Sequence, residues 1–365
     1  MKEIRVLLRT LTPIWTGDAR GECKELKLTG LLGSLRWWFE ALVRGVGYKA
    51  CDPTSDNKCK LELRNPEEFS KIYERICPVC YLFGTTGWKG RFSVEVEENR
   101  LQPIERFEVR TRTDKHNGRY LSRYCSGLIG SISLRFKFSL DVSKDYIVLF
   151  VKLLKLLNDW GMIGAHISQG NGVCEISFEV DVDEFVDVKF SEIELIKTDR
   201  QKTCNDCPNL KNFKFLKLKL TLNNHINFRH IWRKNNSDRK SLRSLTGNII
   251  NLWSNYSFLP ISFHIRDLLR NVWQDNRDLR HDIMGKKGNG AKIFVSHGYK
   301  ISDNQVEVRI FGYNLTDNDW QDVKESLSTD ELNSYLWYAK QDYIRDYIRD
   351  IEIYEKLGKE ILNEG

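Results

Sequence analysis

Strict alternation of apolar and polar residues over residues 131–140 is the feature that most constrains the fold. A period of two places alternate side chains on opposite faces of a β-strand, whereas a helix would spread them around its circumference. The side chains of the apolar face are Ile132, Leu134, Phe136, Phe138 and Leu140. This stretch therefore predicts a strand in a sheet with one buried face.

The neighbouring segments predict an α+β, ferredoxin-like unit around this strand. Apolar residues recur every three or four positions after Thr29, which can cap a helix that Gly45 and Gly47 end. The alternating patterns and the helical spacing together follow the split βαβ plan. The predicted elements are strand 3–10, helix 29–46, extended segments 91–97 and 104–112, strand 131–140, helix 145–159 and strand 173–180.

Two stretches of this unit lack a clear period. Residues 50–90 carry four cysteines and predict an insertion, and the polar, basic residues 114–127 predict an exposed loop.

A second unit begins after residues 190–210, because alternation restarts at 216–222. A chain of 365 residues suits two domains, and we predict two tandem ferredoxin-like domains at 1–195 and 210–365. The remaining predictions are helices between 241 and 274, a hairpin of 292–297 with 305–312, and a mainly helical final third with a charged segment at 330–363.

The charge balance is mildly basic. Lys and Arg number 57 against 50 Asp and Glu, a net charge of +7, which raises the chance of a polyanionic partner without establishing one. No run of about 18 apolar residues suggests a membrane helix, and the first residues lack the pattern of a secretory signal. We therefore expect a cytoplasmic protein without a membrane partner.

The nine cysteines suggest a metal more than disulfides, which a reducing compartment disfavours. Cys77 and Cys80 have the two-residue gap that lets both sulfurs face one metal, and Cys51 and Cys59 lie upstream. These four predict either a tetrahedral Zn²⁺ site or free thiols in a small satellite core. Cys204 and Cys207 have the same gap without a second pair, and they stay unassigned.

Two glycine-rich segments can approach a phosphate backbone closely. The alternative for each is a connection that binds nothing. The candidate residues of the first, 161–172, are Gly164, His166, Ser168, Gln169, Gly170, Asn171 and Gly172, and those of the second, 285–292, are Lys286, Lys287 and Lys292.

On the first helix, Arg36, Glu40 and Arg44 form a polar stripe at four-residue spacing. Trp37 beside Arg36 can stack on a base, or it can pack in the core as helix aromatics more often do.

No catalytic constellation is evident in the sequence. No histidine lies in a triad or a metalloprotease motif, and no dense carboxylate cluster suggests a Mg²⁺-dependent nuclease. His166 in the first glycine-rich segment is the one candidate general base. We therefore predict that the protein is not an enzyme, with a metal-independent endoribonuclease as the alternative.

Four blocks resemble the RAMP subunits of CRISPR effectors, in particular the end-capping subunit of the type III-B (Cmr) complex. They are LTPIWTGD at 11–18, TGLLGSLRWWFE at 29–40, CDPT at 51–54 and CPVCYLFGTTGW at 77–88. The glycine-rich segment extends the resemblance to about residue 180, and FHIR at 263–266 and FVSH at 294–297 continue it weakly.

This resemblance implies a non-catalytic, RNA-binding subunit in antiviral defence. It implies contacts with the 3′ region of CRISPR RNA, with target RNA and with other Cmr RAMP subunits, and no required cofactor. The matching positions, implied to contact RNA, are Arg36, Trp37, Arg44, Trp88, Lys89, Arg91 and the loop from Gly164 to Gly172. His166 has no fixed counterpart in the family.

Overall fold

The computed structural model describes residues 2–18, 20–56, 58–62, 75–113, 120–197, 204, 206–223, 252–286, 290–336 and 347–364. The strands are β1 (Glu3–Thr10), β2 (Phe92–Asn99), β3 (Gln102–Thr113), β4 (Tyr120–Ile129), β5 (Ser131–Phe138), β6 (Cys174–Phe178), β7 (Phe213–Leu222), β8 (Phe258–Leu259), β9 (Ile293–Val295), β10 (Gly298–Ser302), β11 (Gln305–Tyr313) and β12 (Ile348–Leu357). The helices are α1 (Leu28–Gly45), α2 (Pro78–Phe83), α3 (Lys144–Asp159), α4 (Asp183–Val186), α5 (Ser262–Val272), α6 (Arg277–Met284), α7 (Asp317–Glu325), α8 (Thr329–Tyr335) and α9 (Gly358–Glu364).

The first unit is ferredoxin-like, as predicted. Its antiparallel sheet has the order β2-β5-β1-β6, with α1 following β1 and α3 following β5. Val6 in the central strand lies opposite Leu134 on one side and Phe178 on the other. The apolar face of β5 is buried as the alternation predicts, except that Leu140 lies beyond the end of the strand and is exposed.

The second unit repeats this plan. The order β12-β7-β11-β10 is again that of a ferredoxin-like sheet, with β9 also pairing with β11 and β8 extending the edge beside β10. The predicted restart is β7, and the predicted hairpin is β9 and β10 turning into β11. Of the helices predicted between 241 and 274, residues up to 251 lie outside the described residues, and 252–256 and α5 are helical.

The prediction of an exposed loop at 114–127 was wrong. Residues 120–127, predicted to lie in an exposed loop, belong to β4, which pairs with β3 as a hairpin inserted between β2 and β5; residues 114–119 lie outside the described residues. The hairpin buries Phe107, Val109 and Cys125 against Phe258 and Phe263 of the second unit. The sequence did not predict this strand because its own residues are polar and basic, and the apolar surface that it packs against is distant in sequence.

The charged C-terminal segment was also misjudged. Residues 348–357 form β12, an edge strand paired with β7, so this part of the charged segment is not helical. Charged side chains are common on edge strands, where they discourage pairing with another chain. None of the described helices is long and apolar enough to cross a membrane.

The two units share an apolar core. The ring centroid of Trp38 on α1 lies 5.5 Å from that of Phe213 and 5.0 Å from that of Phe311. Buried Arg309 of β11 donates at 3.1 Å to the carbonyls of Leu157 and Gly161 in the first unit. The domain boundaries predicted at 195 and 210 remain predictions, because side chains of each unit pack against the other unit.

Candidate nucleic-acid interface

The first glycine-rich loop lies close to backbone of the first unit and to side chains of the second unit. Gly164, Gly170 and Gly172 have φ angles of +95°, +100° and +103°, which disfavour any residue with a Cβ. A Cβ on Gly172 would lie 2.3 Å from the carbonyl oxygen of Ile163, and one on Gly170 would lie 2.7 Å from Nδ1 of His297. The glycines therefore let the loop pack against the second unit.

Asn171 anchors this loop from inside. It is fully buried, its amide donates to the carbonyl of Ser126 at 3.0 Å, and its Oδ1 accepts from the thiol of Cys125 at 3.0 Å. Asn171 thus binds β4, and its side chain is not on the surface that an RNA would meet.

His166 is placed for stacking. Its ring lies on that of Trp15 with centroids 3.9 Å apart and an angle of 16° between the planes. Partial burial lowers the pKa of His166, so the imidazole is neutral at pH 7. A neutral, stacked ring can offer a flat surface to a base.

A cavity of about 580 Å³ brings the two glycine-rich segments together. Ser168 and Gln169 of the first segment line one side, and Lys286 and Gly290 of the second line another. The sequence suggested two separate loops, and the structure places them around one opening.

The walls of this cavity are predominantly cationic. The charged side chains that line it are Arg123, Arg266, Asp267, Arg270 and Lys286. Arg266 is buried and donates to the carbonyls of Ile293 and Met284 at 2.8 and 2.9 Å. Burial, together with the nearby Arg270 and Arg123, lowers the pKa of Arg266 to about 10. Among the described lining residues, four cations against one carboxylate favour an anionic occupant.

An aromatic side chain borders the same cavity. Tyr124 of β4 is 47% exposed, and the guanidinium of Arg106 lies 4.1 Å from the centre of its ring. An exposed ring beside cations is the combination that binds single-stranded nucleic acid, with bases on the ring and phosphates on the cations.

The arginines of the basic stripe on α1 form their hydrogen bonds inside the protein rather than at the cavity. Arg44 is buried and donates to the carbonyls of Cys51 at 2.8 Å and Pro208 at 3.0 Å. Arg36 donates to the carbonyl of Gly84 at 2.8 Å, and the carboxylate of buried Glu40 lies 3.0 Å from Arg36 and 3.6 Å from Arg44. These placements leave the RNA contacts predicted for Arg36 and Arg44 without support.

Trp37 packs between the units. Its ring centroid lies 5.1 Å from that of Trp38, 6.0 Å from that of Phe213 and 5.9 Å from that of Tyr313, which favours the packing alternative over base stacking.

Trp88, Lys89, Arg91 and Lys292 are not among the residues that line the cavity. Arg91 stacks on half-buried Trp88 with 3.9 Å from guanidinium to ring centre, and Lys89 beside them is exposed. Lys292 forms an ion pair with Asp282 at 2.7 Å. Lys287 lies outside the described residues.

The four cysteines of the insertion converge in the interior. The sulfurs of Cys51, Cys59, Cys77 and Cys80 all lie within 4.8 Å of one another, and all four residues are buried. Hydrogen bonds among the four sulfurs lower the pKa of Cys51 and Cys77 and raise the pKa of Cys59 and Cys80. The arrangement is that of a candidate metal site.

Cys204 and Cys207 form a disulfide, contrary to the expectation that the cysteines would be unpaired. The two-residue gap is short enough to close locally, so this bond requires no distant partner.

Sequence reasoning missed Arg123, Tyr124 and Arg270. Arg123 and Tyr124 lie in the segment predicted to be a loop, and Arg270 lies one helical turn after Arg266 on α5. The spacing of Arg266 and Arg270 was a signal that could have placed both on one helix face.

Comparisons with known proteins bear on the first unit. Residues 7–175 match the family model described as the RAMP superfamily. Among solved structures, the chain is similar to Cmr1 from Pyrococcus furiosus in its apo form, at 11% identity and a TM-score of 0.42, covering 89% of this chain and 97% of that one. It is also similar to a chain of a type IV-B CRISPR complex, at 14% identity and a TM-score of 0.34, covering 52% of this chain and 96% of that one. No curated protein matches. Over residues 7–175, less than half of the chain, the sequence is therefore similar to the RAMP superfamily.

Proposed function

We propose that this protein binds RNA as a non-catalytic subunit of a CRISPR ribonucleoprotein. The observation that carries the proposal is the cationic cavity between the two glycine-rich segments. Its lining combines guanidinium groups, the polar side chains of Ser168 and Gln169 and the exposed ring of Tyr124.

These groups suit a single-stranded polyribonucleotide. Arg123 and Arg270 can bind phosphate oxygens in two-pronged fashion, and hydroxyl and amide groups can hydrogen-bond to sugars and base edges. Arg266 contributes positive charge to the cavity, but its hydrogen bonds to two backbone carbonyls fix its side chain. Its role is therefore to shape the cavity wall rather than to move with a bound ligand.

The finer role is the end-capping subunit of the type III-B (Cmr) effector, which contacts the 3′ region of CRISPR RNA and the target RNA and assembles with other RAMP subunits in the cytoplasm. The match of residues 7–175 to the RAMP superfamily model and the four sequence blocks at 11–18, 29–40, 51–54 and 77–88 support this role.

A binding role fits the placement of His166 better than catalysis does. General-base catalysis needs an imidazole that is free to reach a 2′-hydroxyl. The ring of His166 is instead stacked on that of Trp15, in a loop whose glycines have positive φ angles. Incubation with repeat RNA in EDTA separates the two functions. Products that end in a 2′,3′-cyclic phosphate would support the endoribonuclease instead.

RNA affinity across a salt series tests the proposal. We expect single-stranded RNA to bind with an affinity that falls steeply as salt rises. Replacing both Arg123 and Arg270 with Glu should weaken binding by about tenfold or more and reduce the salt slope, because two phosphate contacts are lost.

Lys144→Glu is the matched control, since Lys144 is an exposed cation on α3 that pairs with Glu184 away from the cavity. Equal loss of affinity in the control and the cavity variant, or no RNA binding by the unaltered protein alone or with Cmr subunits, would contradict the proposal.

A further inference from the structure

We propose that Cys51, Cys59, Cys77 and Cys80 bind a structural Zn²⁺ ion that fixes the insertion onto α1. This inference is independent of RNA binding. Four buried sulfurs converge from three separate points of the insertion, whose described residues have little regular structure beyond α2.

The sulfur separations fit a tetrahedral ion. Zinc-to-sulfur bonds of about 2.3 Å place neighbouring sulfurs about 3.8 Å apart at the corners of a tetrahedron. The Sγ of Cys51 lies 3.4 Å from that of Cys80 and 3.9 Å from that of Cys77. A satellite core of free thiols would not require all four sulfurs to meet at one point.

The site is closed, which makes it structural. All four cysteines are at most 4% exposed, so no position is open to a water or a substrate. When the ion binds, each thiol releases its proton to solvent and the thiolate forms the bond to zinc.

Donors around the sulfurs suit the negative charge of four thiolates on one Zn²⁺. The guanidinium of Arg36 donates to Sγ of Cys80 at 3.1 Å. Backbone N–H groups donate to two further sulfurs, that of Cys77 to Cys59 at 3.3 Å and that of Cys80 to Cys77 at 3.4 Å. Outer groups of this kind orient the ligands of a metal and raise its affinity.

This assigns a role to the basic stripe of α1. Arg36 reaches the ligand Cys80, Arg44 holds the backbone of the ligand Cys51, and Glu40 lies between the two arginines. The stripe therefore ties the helix to both ends of the cysteine cluster, and the ion adds a cross-link to the apolar packing of Leu61, Ile76 and Val79.

Metal analysis of the reduced, natively purified full chain tests the proposal. We expect one zinc per chain by mass spectrometry, and after exchange with Co²⁺ the visible absorption of a tetrahedral ion with thiolate-to-metal charge transfer. Absence of metal together with absence of this absorption, or iron in place of zinc, would overturn the assignment.

Variants locate the ion. Cys77→Ser and Cys59→Ser should each lose the zinc, whereas Cys23→Ser, which alters a half-buried thiol outside the cluster, should retain it. Zinc that persists in a Cys77→Ser, Cys80→Ser double variant but leaves on Cys204→Ser would move the site to the other cysteine pair. If the cluster variants fail to fold, the cobalt spectrum of the unaltered chain still decides.

Arg36→Met tests the outer donor. Zinc affinity, measured by competition with a chelator, should fall roughly 10- to 100-fold. Lys89→Met, an exposed cation nearby in sequence, should leave it unchanged. Equal affinities in the two variants would exclude Arg36 from the site.

Discussion

Two groups of arginines in this protein have the same chemistry and opposite surroundings. Arg36 and Arg44 on α1 are turned inward, where carbonyls, a sulfur and the carboxylate of Glu40 surround them. Arg123 and Arg270 line an open cavity, where Arg270 also lies 4.0 Å from the carboxylate of Asp267. A basic residue in a sequence is therefore not by itself evidence of a phosphate contact, because its neighbours in space decide whether its donors are already used.

Removing an inward cation should have the largest effect on stability. Arg44→Ala leaves the buried carboxylate of Glu40 and the carbonyls of Cys51 and Pro208 without this donor. We expect the free energy of unfolding to fall by about 3–5 kcal/mol, measured by chemical denaturation.

Arg9→Ala is the control, since Arg9 is 60% exposed and pairs with Glu175 on the surface. Its effect should be about 0–1 kcal/mol. Comparable losses in the two variants would break the distinction between inward and outward cations.

A buried histidine behind the first glycine-rich loop should make stability depend on pH. Burial lowers the pKa of His297 from 6.5 to about 3, so the native ring stays neutral while the unfolded chain takes up a proton as the pH falls below 6.5. The unfolded state then binds more protons, and stability is lost progressively from pH 6.5 toward 3 by about 1.4 kcal/mol per unit.

Denaturation at pH 6, 5 and 4 measures this slope, and His297→Gln should flatten it whatever its stability at pH 7. Cys125 and the backbone of Gly170 are the direct neighbours of His297. An unchanged slope in the variant would show that other groups govern the acid response.

The smallest effect is expected from one outward cation. Lys286 is exposed at the mouth of the cavity, so Lys286→Ala should leave the unfolding free energy unchanged within about 0.5 kcal/mol. RNA affinity should fall by only a few-fold, and the slope of log affinity against log salt should decrease by about one. A loss of stability larger than the loss of affinity would place Lys286 with the inward group.

Local pattern predicted much of the fold. The strands at 3–10 and 131–138, the helices α1 and α3 and the restart at β7 all have a period that their own residues impose. The strand β12 and the hairpin strand β4 were missed because partners distant in sequence, rather than their own polar residues, stabilise them.

The candidate sites were predictable only in part, for a similar reason. Four cysteines at metal-ligand spacing identified the cluster, and the glycines of residues 164–172 identified the loop beside the cavity. The role of Arg44 was not predictable, because one of its acceptors, Pro208, lies 164 residues away. No spacing rule links positions so far apart.

The β3–β4 hairpin links the two ferredoxin-like units through a shared apolar cluster. It belongs to the first unit by chain order, yet Phe107, Val109 and Cys125 lie against Phe258 and Phe263 of the second. Either unit expressed on its own would expose the apolar surface that the other unit covers, and would tend to aggregate. We therefore expect the tandem repeat to unfold cooperatively as one body, and exchange of either repeat for a homologous copy to require redesign of the contact across the hairpin.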